Sequence, residues 1–207
     1  WRNNEDANEN LSDWTIQIVA EDQETSYHVH KCVLAVGTRR SGYFARLFQS
    51  NLSESSTSSV KLQLEPLAAA AFPGVLDFLY FESDPLQIKT ENATALFFLG
   101  QYLDIASLRY EAKNFWKSDL NVQNSAVYYE HAQVFRDEKI METVARRCAT
   151  GLAGIPVNSP LLEVSDPNLW RSIIEFGNLE GRKSLHEHLS RLLAKSLTQY
   201  ERLDQRT

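Results

Sequence analysis

The 207 residues suffice for one large domain or two small ones with a real core, and 43% hydrophobic with 23% charged residues is an ordinary globular composition. A net charge of -6 repels phosphate backbones and argues against a nucleic-acid partner, and the Arg39-Arg40 and Arg146-Arg147 pairs, read as solvated surface, are too short to reverse that. No apolar run approaches the ~20 residues that cross a bilayer, which argues against a membrane partner.

Two distant cysteines, Cys32 and Cys148, read as a reduced intracellular pair, cytoplasmic or nuclear, rather than a disulfide framework. The chain begins at Trp1 rather than Met, as a fragment would, with no basic-then-apolar leader. The sequons at Asn10, Asn51 and Asn92 are expected by chance in an Asn- and Ser-rich chain.

Residues 1–10 are polar and acidic and read as a flexible lead-in. Trp14, Ile16 and Ile18 then alternate with Thr15 and Gln17, which predicts a strand. The polar run Glu21 to Ser26 predicts a hairpin turn, Tyr27 to Val29 a second strand, and Val60 to Leu64 a third. Tyr27-His28-Val29-His30-Lys31-Cys32 raises a separate question. On one strand His28, His30 and Cys32 would share a face and form a zinc or copper trio.

The rest of the periodicity is helical. Phe44, Leu47 and Phe48 form one stripe, and Phe72, Leu76, Leu79 and Tyr80 another, with Pro73 in its first turn or at a kink. Leu96, Leu99 and Leu103 follow, capped by Thr90, then Leu108, Ala112, Phe115 and Trp116. Beyond Asp119-Leu120-Asn121 no strand pattern remains. Val122, Ala126 and Tyr129 open a helix, and Ile140, Val144 and Cys148 mark the next, with Cys148 in the core. Asp166-Pro167 starts another that carries Leu169, Trp170, Ile173 and Ile174. Leu185, Leu189, Leu192 and Leu203 lie on the last.

No nucleophile elbow, P-loop, zincin or dinucleotide motif is present, and His186 and His188 diverge on a solvated helix face. No catalytic residue or cofactor is therefore expected, which leaves protein binding, with the His28, His30 and Cys32 trio still open as a metal site.

The stretch from Leu11-Ser12-Asp13-Trp14 through His30-Lys31-Cys32-Val33-Leu34-Ala35 and Ser41-Gly42-Tyr43-Phe44, then Val60-Lys61-Leu62, Phe72 to Tyr80 and Leu96 to Leu108, resembles the BTB/POZ family. The helical remainder, with Val127 to Ala132, resembles the BACK domain that often follows it. The resemblance implies an α+β chain: a lead-in at 1–10, a BTB/POZ fold at 11–118 with a small sheet and surrounding helices, and an all-helical BACK-like domain at 119–207. It puts His30-Lys31 where strand becomes helix, so that Cys32 leaves the metal trio and His30 holds the corner. It also implies a homodimer whose contact includes Asp13, Trp14, Lys31, Val33 and Leu34, the first and third as an acid and base. In adaptors that recruit cullin-3 a hydrophobic-x-Glu step follows the Tyr-Phe helix. Here that step is Leu52-Ser53-Glu54, with Phe48 beside it, though a Ser-rich loop holds one Leu and one Glu by chance too. The implied function is a dimeric substrate adaptor of a cullin-3 type ubiquitin ligase, its protein substrate unidentified. The alternative is a homodimeric scaffold or transcription-associated module without cullin.

Overall fold

The alternation at Trp14-Thr15-Ile16-Gln17-Ile18 puts one side of a strand against a core. In the computed structural model, which describes residues 11–50, 58–81, 85–164, 166–177 and 183–204, β1 (Trp14–Ala20) forms there. Trp14, Ile16 and Ile18 are buried, and Thr15 and Gln17 half-buried. β1 turns through Glu21-Asp22 into β2 (Gln23–Val29), with Ala20 opposite Gln23 and Gln17 opposite Ser26. The polar run is thus only partly turn. Two residues close the hairpin, Glu21 taking φ 51, and an edge strand needs no apolar residues at its exposed end. β3 (Ser59–Gln63) pairs parallel with β1, Ile16 against Val60 and Ile18 against Leu62, so the sheet order is β2-β1-β3.

Nine α-helices occur among the described residues. Five wrap the sheet: α1 (Lys31–Ala35), α2 (Gly42–Gln49), α3 (Pro66–Tyr80), α4 (Thr90–Tyr102) and α5 (Ala106–Asp119). Leu34, Phe44, Phe72, Leu76, Leu96, Leu99 and Leu108 are buried in their core. Each fully buried side chain of this size contributes ~1.5–3 kcal/mol by leaving water.

α3 begins earlier than its aromatic stripe suggests, because Pro66 supplies a first helical residue that has no N–H to lose and the alanine run continues from it. Pro73 therefore lies inside the helix and not in its first turn, and gives no N–H to the Ala69 carbonyl. Thr90 is the first residue of α4 and not its cap. Lys89 occupies the cap position, its N–H donating to Asn92 Oδ1 at 2.8 Å. The Asn92 amide nitrogen, the atom a sequon would glycosylate, donates to the Gln87 carbonyl.

Contacts divide the chain into Trp1–Lys117 and Ser118–Thr207. The second unit is helical: α6 (Ser125–Val134), α7 (Glu138–Thr150), two 3-10 turns, α8 (Pro167–Phe176) and α9 (Lys183–Asp204). α6 starts after Val122, because the Asn121 side chain accepts from Gln123 N–H and Asn124 Oδ1 accepts from Asn121 N–H, a local turn that competes with helix. Two consecutive tyrosines of α6 are anchored by carboxylates. Tyr128 donates to Asp119 Oδ2 and Tyr129 to Asp166 Oδ2, each at 2.7 Å. Asp166 also caps α8 by accepting from Asn168 N–H.

Cys148 is buried, which pushes its thiol up while a Ser125 hydrogen bond pulls it down. Ile174, expected on the apolar stripe of α8, is 41% exposed. His188 is not solvated: its Nε2–H donates to the Ile155 carbonyl at 2.9 Å, while His186 is exposed. The architecture is α+β, a small sheet with surrounding helices followed by a helical region, as the resemblance implies. No helix among the described residues is long and apolar enough to cross a membrane.

Gly100 in α4 lies against the backbone of α5. A Cβ there would stand 2.8 Å from Arg109 N and 3.0 Å from its Cα. Main chain cannot rotate aside as a side chain does. Gly100→Ala is expected to cost about 1–3 kcal/mol in urea unfolding, and a wild-type midpoint would mean the two helices separate freely.

Candidate protein-interaction surface

β2 ends at Val29, and His30, extended at φ -113, is the cap residue of α1. Cys32 is therefore on a helix while His28 is on a strand, and the three side chains do not share a face. His28 Nδ1 lies 3.2 Å from Thr15 Oγ1. His30 N–H donates to the Tyr80 hydroxyl at 2.8 Å, and its Nδ1 stands 3.0 Å from the same oxygen. This ties the strand-to-helix corner to the end of α3. Burial pushes the Tyr80 phenol up to about 12, against the pull of the His30 amide, with Cys32 and Asp13 adding to the rise. No group of three His, Cys, Asp or Glu side chains among the described residues gathers as metal ligands would.

Asp13 precedes β1, and its Oδ1 accepts from Lys31 N–H at 2.8 Å. A carboxylate on the first amide of a helix satisfies an orphan donor and faces the positive end of the dipole. The acid and base expected as a pair thus meet through main chain. The Lys31 ammonium instead lies 4.5 Å from the Trp14 ring centroid and 5.6 Å from that of Phe48. Trp14 and Phe48 meet edge-on at 4.9 Å, and Phe44 stacks behind Phe48 at 6.0 Å.

The connection between α1 and α2 is fixed by side chains that also reach elsewhere. Arg39 stacks on Phe78 at 4.3 Å and its Nη1 donates to the Phe78 and Phe81 carbonyls, so it is no solvated surface residue. Ser41 Oγ accepts from Phe44 N–H and donates to the Leu103 carbonyl, and Arg46 pairs with Asp104 at 2.8 Å. The start of α2 is thereby pinned to the corner between α4 and α5.

The expected contact residues fall into three groups. Trp14, 2% exposed, and Leu34, fully buried, lie inside the chain's own core. Asp13 is exposed, and Lys31, Val33 and Phe48 are half-buried. Leu52 and Glu54 lie outside the described residues. Next to Val33, Val36 just beyond α1 is 69% exposed, an apolar residue at the end of the segment expected to face a second copy. Tyr80 and Arg39 were also missed as anchors. Tyr80 sat on a stripe taken for core, and an Arg-Arg pair gives no local sign of what its guanidinium reaches.

A second feature is an apolar groove of about 360 Å³ lined by Val164, Pro167, Trp170, Leu193 and Leu197 in the helical unit. Its one carboxylate, Asp166, is committed to Tyr129, Gln133 and the start of α8, and so makes no acid–base pair for chemistry. Against known families, the BTB/POZ domain model matches residues 3–120, more than half of the 207.

The Tyr80 phenol gives a pH test of the corner. A phenol held neutral in the fold stabilises it fully below its unfolded value of ~10, and that contribution fades as pH rises toward about 12. Tyr80→Phe removes both the hydroxyl and its titration. The stability gap between wild type and Tyr80→Phe is therefore expected to be constant below pH 9 and to narrow between pH 10 and 12. Thermal melts at stepped pH measure it, and a gap that widens with pH contradicts the assignment.

Proposed function

The chain belongs to the BTB/POZ family of protein–protein interaction domains, and from that premise we propose that it is the dimeric substrate adaptor of a cullin-3 type ubiquitin ligase inside the cell. It carries no catalytic group or cofactor in this reading. Rate comes from holding an unidentified protein substrate near the transfer machinery. Residues 119–207 serve as a BACK-like spacer between cullin and substrate.

One observation supports the docking contact above others. Phe48 is half-buried in the last turn of α2, shortly before the segment that carries Leu52-Ser53-Glu54. In this reading the leucine is an aliphatic anchor in an apolar pocket of the partner, and the carboxylate takes polar contacts at its rim. For the dimer, the outward side of the α1 region offers half-buried Val33 and exposed Val36. Asp13 and Lys31 fix its register, and Trp14 and Leu34 support it from beneath. The same apolar face needs no cullin, and it favours the second reading, a homodimeric scaffold.

Two measurements separate these. Light scattering on a size-exclusion column at micromolar concentration is expected to give twice the monomer mass, and a clean monomer would sink the dimer. Isothermal titration against the N-terminal region of a cullin-3 is expected to show binding that Leu52→Asp abolishes and Glu54→Lys weakens. Losses of ~2 kcal/mol, roughly thirtyfold, are typical of such anchors. Circular dichroism checks the fold. Wild-type binding untouched by either substitution makes the loop a bystander, and no wild-type binding leaves the scaffold reading.

A further inference from the structure

Lys31 and Phe48 belong to the two different contacts proposed above, yet they meet on one indole. The Lys31 ammonium lies 4.5 Å from the Trp14 centroid and 5.6 Å from that of Phe48, and the two rings touch at 4.9 Å. Trp14 is too deeply buried to shift without its neighbours. Its preceding residue, Asp13, holds the first amide of α1. On the adaptor reading, we infer that the dimer contact and the docking contact are one linked site, coupled through Lys31, Trp14 and Phe48.

The coupling runs through contact and needs no large motion. A partner that presses on Phe48 presses on the Trp14 ring it touches, and the indole sets where the ammonium rests. Lys31 is also the first residue of α1, whose outward side is the dimer face. Fixing Phe48 therefore fixes the start of α1. The effect is reciprocal: whatever factor dimerisation adds to docking, docking adds to dimerisation. Lys31 and Trp14 act here as positioning residues for Phe48.

The test needs no cullin. The dimer dissociation constant of the whole chain is measured by sedimentation equilibrium for wild type, Phe48→Leu, Lys31→Met, the double variant and Phe48→Tyr. Phe48 lies outside the proposed dimer contact, so a simple interface model predicts no effect from changing it. The linkage predicts that each of Phe48→Leu and Lys31→Met weakens the dimer roughly fivefold or more. It also predicts that the double variant weakens it by less than the product of the two, because both act on one cluster. Phe48→Tyr keeps the ring and stays near wild type. Circular dichroism confirms folding, and Phe48→Met replaces Phe48→Leu should the latter not fold. A folded Phe48 variant with the wild-type constant overturns the linkage, and so does a double variant equal to the product. A monomeric wild type overturns the dimer reading and the linkage together. Absence of cullin binding alongside the predicted dimer pattern overturns the adaptor reading and with it the docking half of the linkage, leaving Phe48 as a support of the dimer contact.

Discussion

One carboxylate decides where the first helix begins. α1 has five residues, far too few to be stable by itself when nucleation costs a factor of roughly a thousand. Its position has to be imposed. Asp13 catches its first amide, the His30 cap is tied to Tyr80, Leu34 is buried, and Ser41 N–H closes onto the Leu34 carbonyl at 2.8 Å. Asp13 can do this because its own N–H is bonded to the Val29 carbonyl, extending the β1–β2 ladder to the edge of the corner. Strand register and helix start are the same constraint seen from two sides. The ring cluster beneath Lys31, the seat of Arg39 and the entry to α2 all follow from it.

This also explains why the histidine-rich stretch misleads. Period-two spacing of His28, His30 and Cys32 is a sound argument for a shared face only while the strand lasts. The strand ends at Val29, because a helix that starts at Lys31 is held by Asp13, a residue distant in sequence. A nonlocal cap does not show in a local pattern. The family resemblance placed the corner where residue chemistry alone would have left the metal trio open.

Elsewhere, what was legible depended on whether burial or hydrogen bonding set the outcome. Stripes such as Leu96-Leu99-Leu103 and Ile140-Val144-Cys148 lie buried on their helices or at their ends, since removing apolar surface from water dominates there. Boundaries were harder. Asn121 and Asn124 delay α6, Lys89 displaces Thr90 from the cap, and Pro66 advances α3, each through amide or ring geometry that hydrophobic periodicity does not contain. His188 and Arg39 were misjudged for a related reason. Long polar side chains look solvated until their acceptors, the Ile155 carbonyl in one case and those of Phe78 and Phe81 in the other, are located. Of the surface proposed for docking, Phe48 was legible from its stripe. Its contact with Lys31 was not, because it joins the end of one helix to the start of another.

The adjacent tyrosines of α6 carry a mechanical consequence. Neighbouring residues on a helix point about 100° apart, so Tyr128 and Tyr129 grip Asp119 and Asp166 in different directions. One such bond would act as a hinge pin, about which the helix could roll. Two at that angle form a bracket. Any twist of α6 about its own axis must stretch one phenol–carboxylate bond or the other, so within its unit this helix behaves as a keyed shaft and passes torque to both attachment points instead of slipping.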